Sequence, residues 1–204
     1  MRVLVPLLIV ACSKPLPLPE AVPPRQSSLT LASPTDFEGM DDRVERSQAL
    51  FTEMGKVLQH PRCANCHPSD NRPRQGMQQG VHEPPVWRGP DNHGVTGMQC
   101  STCHQDSNQD HTRIPGAPHW QLAPIEMAWM GRSVGQICNQ IKDPERNGER
   151  GLEDLYTHMA EDALVGWAWE PGDVREPAPG TQAEFAALIR AWINSGAHCP
   201  LEAL

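Results

Sequence analysis

Apolar and polar residues follow a helical pattern near the start of the main body of the chain. From Asp42 to Leu58, apolar residues recur at helical spacing with polar residues between them, at Val44, Leu50, Phe51, Met54, Val57 and Leu58. This spacing predicts an amphipathic helix. His60 and Pro61 follow, and proline ends a helix because it lacks the N–H that the next turn needs. The folded part of the chain is therefore predicted to begin near Asp41.

Three further apolar stripes predict helices in the second half of the chain. They comprise Met127, Met130, Val134, Ile137, Cys138 and Ile141; then Leu152, Leu155, Tyr156, Met159 and Ala163; then Phe185, Leu188, Ile189, Trp192 and Ile193. The last helix is expected to begin at Gly180–Thr181 and to end at Ser195–Gly196. Residues 68–99 lack the alternation typical of strands. The sequence thus predicts a mostly α fold of few short helices with long loops and little or no sheet.

Composition sharpens this picture. The 204 residues suit one domain, or one domain with a tail, and the 21 prolines and 16 glycines favour irregular loops. Only 38% of residues are apolar and 5% aromatic, so the core is thin and needs disulfides, a metal or a large apolar cofactor. A net charge of −8 argues against nucleic acid as a partner, because nucleic acid requires a basic face.

The N-terminus resembles a bacterial lipoprotein signal. A nine-residue apolar run, Val3 to Ala11, is too short to span a bilayer and ends at Cys12 in a sequence like the lipobox. We therefore predict a signal peptide at 1–11, a lipidated Cys12 with a Pro-rich flexible tether at 12–40, and a folded domain at 41–204. An ordinary signal with an incidental cysteine is the alternative. Both predict export into an oxidising compartment, and the lipoprotein would sit on the periplasmic face of a bacterial membrane, held only by its lipid anchor.

Two pentapeptides, CANCH at 63–67 and CSTCH at 100–104, share the pattern C-x-x-C-H. This is the attachment signature of c-type haem, in which both thiols form thioethers with one porphyrin and the histidine binds the iron. We therefore predict two covalently attached haem c groups, with the helices packed around them. The predicted thioether cysteines are Cys63, Cys66, Cys100 and Cys103, and the predicted proximal ligands are His67 and His104. Because the porphyrins would supply the missing apolar core, we expect the haem-free chain to lose most of its structure.

The paired cysteines have two alternative explanations, a zinc site and a redox pair. Two C-x-x-C pairs can form a four-thiolate zinc site, but the flanking histidines would then be idle. A thioredoxin-like redox pair needs a strand followed by a helix, which the sequence does not predict here. Of the remaining cysteines, Cys138 and Cys199 are expected to form a disulfide in an oxidising compartment, with two buried free thiols as the alternative.

The sixth iron ligands are less determined by the sequence. A methionine ligand raises the reduction potential and a second histidine lowers it. The distal candidates, in order of preference, are His82 and His158, then His60, then Met127 and Met159. Both methionines lie on apolar stripes, where core packing is the alternative explanation. With seven histidines beyond the two motifs, we expect at least one bis-histidine haem, and His158 is the strongest single prediction.

Beyond the two motifs, longer segments carry a resemblance. They include HPRCANCHP, RGPDNHGVTGMQCSTCH, PGAPHWQLAP, QIKDPERNG, HMAEDALVGWAWEPG and WINSGAHCP. From about residue 50 to 200, the chain resembles a family of small exported bacterial dihaem c-type cytochromes often labelled "isoquinoline 1-oxidoreductase subunit". The resemblance implies a haem electron carrier, and the label implies partnership with a molybdenum hydroxylase, although no segment of this chain is suited to binding molybdopterin.

Electron transfer is the leading functional hypothesis. The acidic chain and the haem propionates together favour a redox partner protein with a basic docking face, such as a periplasmic oxidoreductase. The alternatives are a small peroxidase-like haem oxidoreductase with one open iron, and a haem-based sensor. An enzyme would need an acid or base above the open iron, for which His111 or His119 is the candidate, and the sequence shows no dedicated set of catalytic residues. We therefore expect an electron carrier rather than an enzyme.

Overall fold

The computed structural model describes residues 29–172 and 175–201. The predicted signal peptide and Cys12 lie outside these residues. The structure is 41% helix and 6% strand, which is compatible with the predicted mostly α fold. Within the described ranges, no helix is both long enough and apolar enough to cross a membrane.

The regular elements are short and joined by long loops. The α-helices are α1 (Arg43–Leu58), α2 (Pro61–Ala64), α3 (Val134–Lys142), α4 (Pro144–Asn147), α5 (Leu152–Glu161), α6 (Ala163–Gly166) and α7 (Gln182–Asn194). Single 3-10 turns occupy Pro34–Phe37, Cys100–Thr102 and Ile125–Met127. Two antiparallel hairpins pair β1 (Arg74–Gln75) with β2 (Gly80–Val81) and β3 (Gly94–Val95) with β4 (Met98–Gln99). The hairpins lie in loops where we predicted no strands, because two-residue strands are too short to show an alternating pattern.

Side-chain caps fix the starts of α1 and α7. The carboxylate of Asp42 accepts hydrogen bonds from the backbone N–H groups of Val44 and Glu45, so α1 begins where the sequence predicted. Thr181 and Glu184 form a capping box at the start of α7, and that helix ends at Ser195 as expected.

Two of the predicted stripes are broken in the structure. The stripe from Met127 to Ile141 is a 3-10 turn followed by α3, which starts only after the N-cap Ser133. Between them Gly131 has φ +76°, a left-handed conformation that an α-helix does not contain. The stripe that begins at Leu152 ends at Glu161, where Asp162 caps the separate helix α6.

The apolar core lies among α1, α3, α5 and α7. Helix α7 packs against α1 and α5, and α3 packs against α1. The rings of Phe51 and Trp192 meet at the centre with their centroids 5.0 Å apart. The most buried side chains of this core are Leu50, Phe51, Met54, Val57, Leu58, Ile137, Ile141, Phe185, Leu188, Ile189 and Trp192. The limited apolar content is therefore concentrated in one helical unit rather than spread along the chain.

The predicted disulfide between Cys138 and Cys199 is present, with an S–S distance of 2.05 Å. It joins α3 to the segment after α7. Two further bonds hold the same segment, because Lys142 donates to the carbonyl of Ala197 and Gln48 donates to that of Cys199. The C-terminal segment is thus fastened to both α1 and α3.

Residues before the predicted domain start at residue 41 already contact the helical unit. The N–H of Ala32 donates to the Glu53 carboxylate at 2.7 Å, and the N–H of Gly180 donates to the carbonyl of Leu29 at 3.2 Å. Leu31 and Phe37 also pack against the core. The folded part therefore includes residues 29–40, which the sequence assigned to the tether ending at residue 40.

Candidate cofactor site

The first pentapeptide lies on α2 and the turn that follows it. The N–H groups of Cys66 and His67 both donate to the carbonyl of Cys63, so the helical path continues past Ala64. Burial raises the pKa of the Cys63 thiol to about 12. Burial, with a smaller effect of Cys100, raises the pKa of the Cys66 thiol to about 11. Both thiols are therefore protonated at neutral pH in the free chain.

The imidazole of His67 is held in one tautomer. Its Nδ1 lies 2.7 Å from the carbonyl oxygen of Met127, which can only accept, so Nδ1 carries the proton and Nε2 keeps its lone pair. The ring stacks on the indole of Trp129 at 3.5 Å with 5° between the planes. Burial lowers the pKa of His67 to about 4, against the opposing effect of the Met127 hydrogen bond. His67 is therefore neutral, the form that binds a metal.

The second pentapeptide reproduces this environment with different residues. The N–H of His104 donates to the carbonyl of Cys100, at the start of the 3-10 turn Cys100–Thr102, and the Nδ1 of His104 lies 2.7 Å from the carbonyl oxygen of Pro115. The ring stacks on Trp120 at 4.5 Å and 8°. Burial lowers the pKa of His104 as well. Each motif histidine thus has a carbonyl on Nδ1 and an indole on one face. The hydrogen bond from Nδ1 to a carbonyl is typical of metal-binding histidines.

The two motifs border one cavity of about 530 Å³. Cys66 lines it from the first motif, and Cys100, Cys103 and His104 line it from the second. The volume lies within the range of small-molecule and cofactor sites.

Arginines surround this cavity although the chain as a whole is acidic. They are Arg62, Arg74, Arg113 and Arg175. Arg62 is 7% exposed, lies over the ring of Trp167 at 5.6 Å, and donates through Nε to the carbonyl of Glu176 at 2.5 Å. Guanidinium groups suit carboxylates, and a porphyrin carries two propionates, so the lining fits haem in charge as well as in its histidine ligand.

His82 lies across from His104 at a separation that suits a shared metal. The two ring centroids are 5.9 Å apart. Two imidazoles that bind the same iron from opposite sides through Nε2, each at about 2 Å, have ring centres roughly 6 Å apart. The Nδ1 of His82 lies 3.0 Å from the carbonyl oxygen of Pro84, so its Nε2 lone pair is free for a metal.

His158 lies on α5, and its charged form lowers the pKa of His67, an effect smaller than that of burial. Its Nδ1 lies 3.5 Å from a carboxylate oxygen of Asp162, and burial lowers its own pKa against the effect of that carboxylate. The ring contact associates His82 with the second motif, and the electrostatic effect on His67 links His158 to the first.

The other three distal candidates have structural roles. His60 is the N-cap of α2, where its Nδ1 accepts the N–H of Arg62 at 3.2 Å, so the neutral ring carries its proton on Nε2 and has no lone pair there. Met127 and Met159 are 8% and 6% exposed and belong to the apolar core. Met127 contributes to the site through its carbonyl oxygen.

Sequence reasoning missed the groups that surround the motif histidines. Any residue can supply a carbonyl, so neither Met127 nor Pro115 carried a signal; the high share of tryptophan among the aromatics was the one available clue to Trp120 and Trp129. Within residues 29–172 and 175–201, no group of three or more His, Cys, Asp or Glu side chains is placed to hold a metal ion. A haem iron needs only two protein ligands.

No protein-family model matches the chain, and no curated protein or solved structure is similar to it. The arguments for a function therefore come from the residues and their arrangement.

Proposed function

We propose that this protein is a dihaem c-type cytochrome that transfers electrons between partner proteins. One haem attaches to Cys63 and Cys66, and the other to Cys100 and Cys103. The observation that carries the proposal is that His67 and His104, distant in sequence, each combine an Nδ1–carbonyl hydrogen bond with a stacked indole. A bound haem supplies reversible one-electron chemistry, while the protein supplies ligands, orientation and surrounding charge.

The arrangement of the second pair of histidines favours a carrier over an enzyme or a sensor. In this proposal each iron receives a second imidazole, from His82, whose ring lies 5.9 Å from that of His104, and from His158, whose charged form lowers the pKa of His67. An iron with two imidazoles has no open position for peroxide or a gas. Each of the four rings is held through Nδ1, by the carbonyls of Met127, Pro115 and Pro84 and by the carboxylate of Asp162. Such anchoring keeps the ligand geometry similar in both oxidation states.

The charge distribution bears on cofactor and partner. The four arginines at the cavity suit the porphyrin propionates in charge, whereas the chain as a whole is acidic. A redox partner with a basic face would then associate faster at low salt than at high salt. The proposed location is the periplasmic face of a bacterial membrane, with a lipid on Cys12 as the anchor.

Expression with a periplasmic c-type maturation system tests the proposal. The mature protein should gain the mass of two haems and show a Soret band that survives denaturation, because thioethers are covalent. Replacing both cysteines of one motif by alanine should remove one haem and leave the other. A purified chain with no added mass would overturn the proposal. Rapid binding of carbon monoxide by the reduced wild type would instead favour an enzyme or sensor.

A further inference from the structure

The side chain of Asn108 connects to both groups that hold His104. Its Oδ1 accepts hydrogen bonds from the N–H of Gly116 at 3.1 Å and from the indole Nε1 of Trp167 at 2.9 Å. Its Nδ2 donates to the carbonyl of Glu170 at 3.2 Å. One half-buried amide therefore fastens the loop after His104 to the segment after α6.

The first connection passes through a single peptide group. The N–H of Gly116 and the C=O of Pro115 belong to the same planar peptide unit, in which the two groups point in opposite directions. Asn108 accepts on one side of this unit and the Nδ1 of His104 donates on the other. The Asn108 hydrogen bond thus fixes the direction of the carbonyl that faces His104, and it also polarises that carbonyl toward a stronger hydrogen bond.

The backbone around this peptide has little freedom to adjust. A Cβ on Gly116 would lie 2.2 Å from the carbonyl oxygen of Ser107 and 2.4 Å from that of Gln105. The loop on which Asn108 lies can therefore approach the peptide only because residue 116 is glycine.

The second connection passes through two indoles. Trp120, which stacks on His104, meets Trp167 edge to face with centroids 4.9 Å apart. Asn108 holds the indole N–H of Trp167 and so keeps that ring in place against Trp120. The same side chain therefore controls the hydrogen bond at Nδ1 and supports the ring on the face of His104.

His67 is held without such a side chain. The peptide that presents the Met127 carbonyl to His67 has its N–H on Ala128, and that N–H donates to the backbone carbonyl of Ile125 within the 3-10 turn. The two sites are otherwise similar, so the His67 site serves as an internal reference for changes at the His104 site.

We infer that Asn108 is a positioning residue for His104 and sets the potential of the haem at that motif, an inference that rests on the proposed function. A strong hydrogen bond to Nδ1 makes the imidazole more basic and favours ferric iron. In Asn108→Ala the Pro115 carbonyl is no longer held, the bond weakens, and the potential of the His104 haem rises. The other haem keeps its potential.

The test is a redox titration of the purified dihaem protein, with the haems distinguished by NMR through their proximity to the ring protons of Trp120 or Trp129. In Asn108→Ala we expect the ratio of reduced to oxidised His104 haem at a fixed solution potential to increase roughly threefold or more, where tenfold corresponds to 59 mV. Asn108→Asp retains the acceptor for both N–H groups and adds negative charge, so its potential should not rise.

Ser47→Ala is the matched control, because Ser47 is a buried side-chain acceptor for the backbone N–H of His198. It should lower the melting temperature without moving either potential. Unchanged potentials in Asn108→Ala, or an equal rise in Asn108→Asp, would overturn the positioning role and leave the proposed function standing. Failure of the wild type to gain two haems would overturn the proposed function and this inference with it.

Discussion

The imidazole of His82 is the side chain whose removal tests the ligand assignment at the second motif. With the ring 5.9 Å from that of His104, its loss in His82→Ala should leave the iron there five-coordinate. We expect carbon monoxide to bind to one haem of the reduced variant and not to the other. His93→Ala, an exposed histidine from the same loop region, is the control and should bind no more than the wild type. Equal behaviour of the two variants would contradict the assignment.

His158 and Met159 are neighbours on α5 with different surroundings. His158→Ala should open the iron at His67 to carbon monoxide. Met159 is buried in the apolar core, so Met159→Ala should leave carbon monoxide binding unchanged and reduce stability by about 2–5 kcal/mol through the cavity it creates. Spectra of the carbon monoxide complexes and urea unfolding measure the two effects. Loss of a sulfur-to-iron charge-transfer band in Met159→Ala would show that the methionine is the ligand.

His60 should make the protein sensitive to acid. Burial lowers the pKa of His60 below its ordinary 6.5, Arg62 lowers it further, and Glu176 opposes them. The unfolded chain therefore binds this proton more readily than the folded one, so stability falls as the pH drops below 6.5. Protonation also removes the Nδ1 acceptor that caps α2.

His60→Asn separates this effect from other titrations, because asparagine also caps helices but does not titrate. The free energy of unfolding, measured by denaturant at about pH 7.5 and about pH 5.5, should fall less in the variant than in the wild type. Other histidines titrate in both proteins, so the difference between them isolates His60. An identical fall in both would rule out this role.

The segment after α7 depends on its disulfide. Cys138 and Cys199 are 61 positions apart, and closing a loop of that length stabilises the fold by about 4 kcal/mol in the chain-entropy model. The double variant Cys138→Ala with Cys199→Ala should lose about this free energy of unfolding in urea. Its haem absorption should not change, because neither cysteine belongs to a motif. A changed Soret band would mean that the disulfide also shapes a haem site.

How far each element could be predicted depends on how local its determinants are. The starts of α1 and α7 could be predicted at Asp42 and Thr181, because an N-cap involves only the next two or three residues. The apolar stripe through Met127 and Ile141 concealed a break, since residues on both sides of Gly131 pack on the same core. The motif histidines followed from the pentapeptides alone. Their Nδ1 partners did not, because a backbone carbonyl brought from 60 or 11 positions away leaves no mark in the sequence.

The molecule combines a helical core with a loop region that contains the second motif. The core is closed by contacts among its own helices, whereas residues 68–124 have two short hairpins and one 3-10 turn as their regular structure. We therefore expect the haem-free chain to lose its structure in residues 68–124 rather than throughout. Cys100→Ala with Cys103→Ala should keep most of its helical circular dichroism and lose hydrogen-exchange protection within residues 68–124. Loss of the helical signal itself would show that the core depends on the second haem.

The cysteines differ in burial and therefore in how easily thiol–disulfide exchange can reach their sulfur atoms. Cys138 is 0% exposed within α3 and Cys199 is half-buried, so a thiolate can approach their disulfide only at the sulfur of Cys199 once the helices have packed. Cys103, by contrast, is exposed, so before a haem is attached its thiol is open to oxidants and to mispairing. A maturing chain in an oxidising compartment would then need a reductant directed at the motif thiols, and such a reductant would reach the Cys138–Cys199 bond only through the sulfur of Cys199.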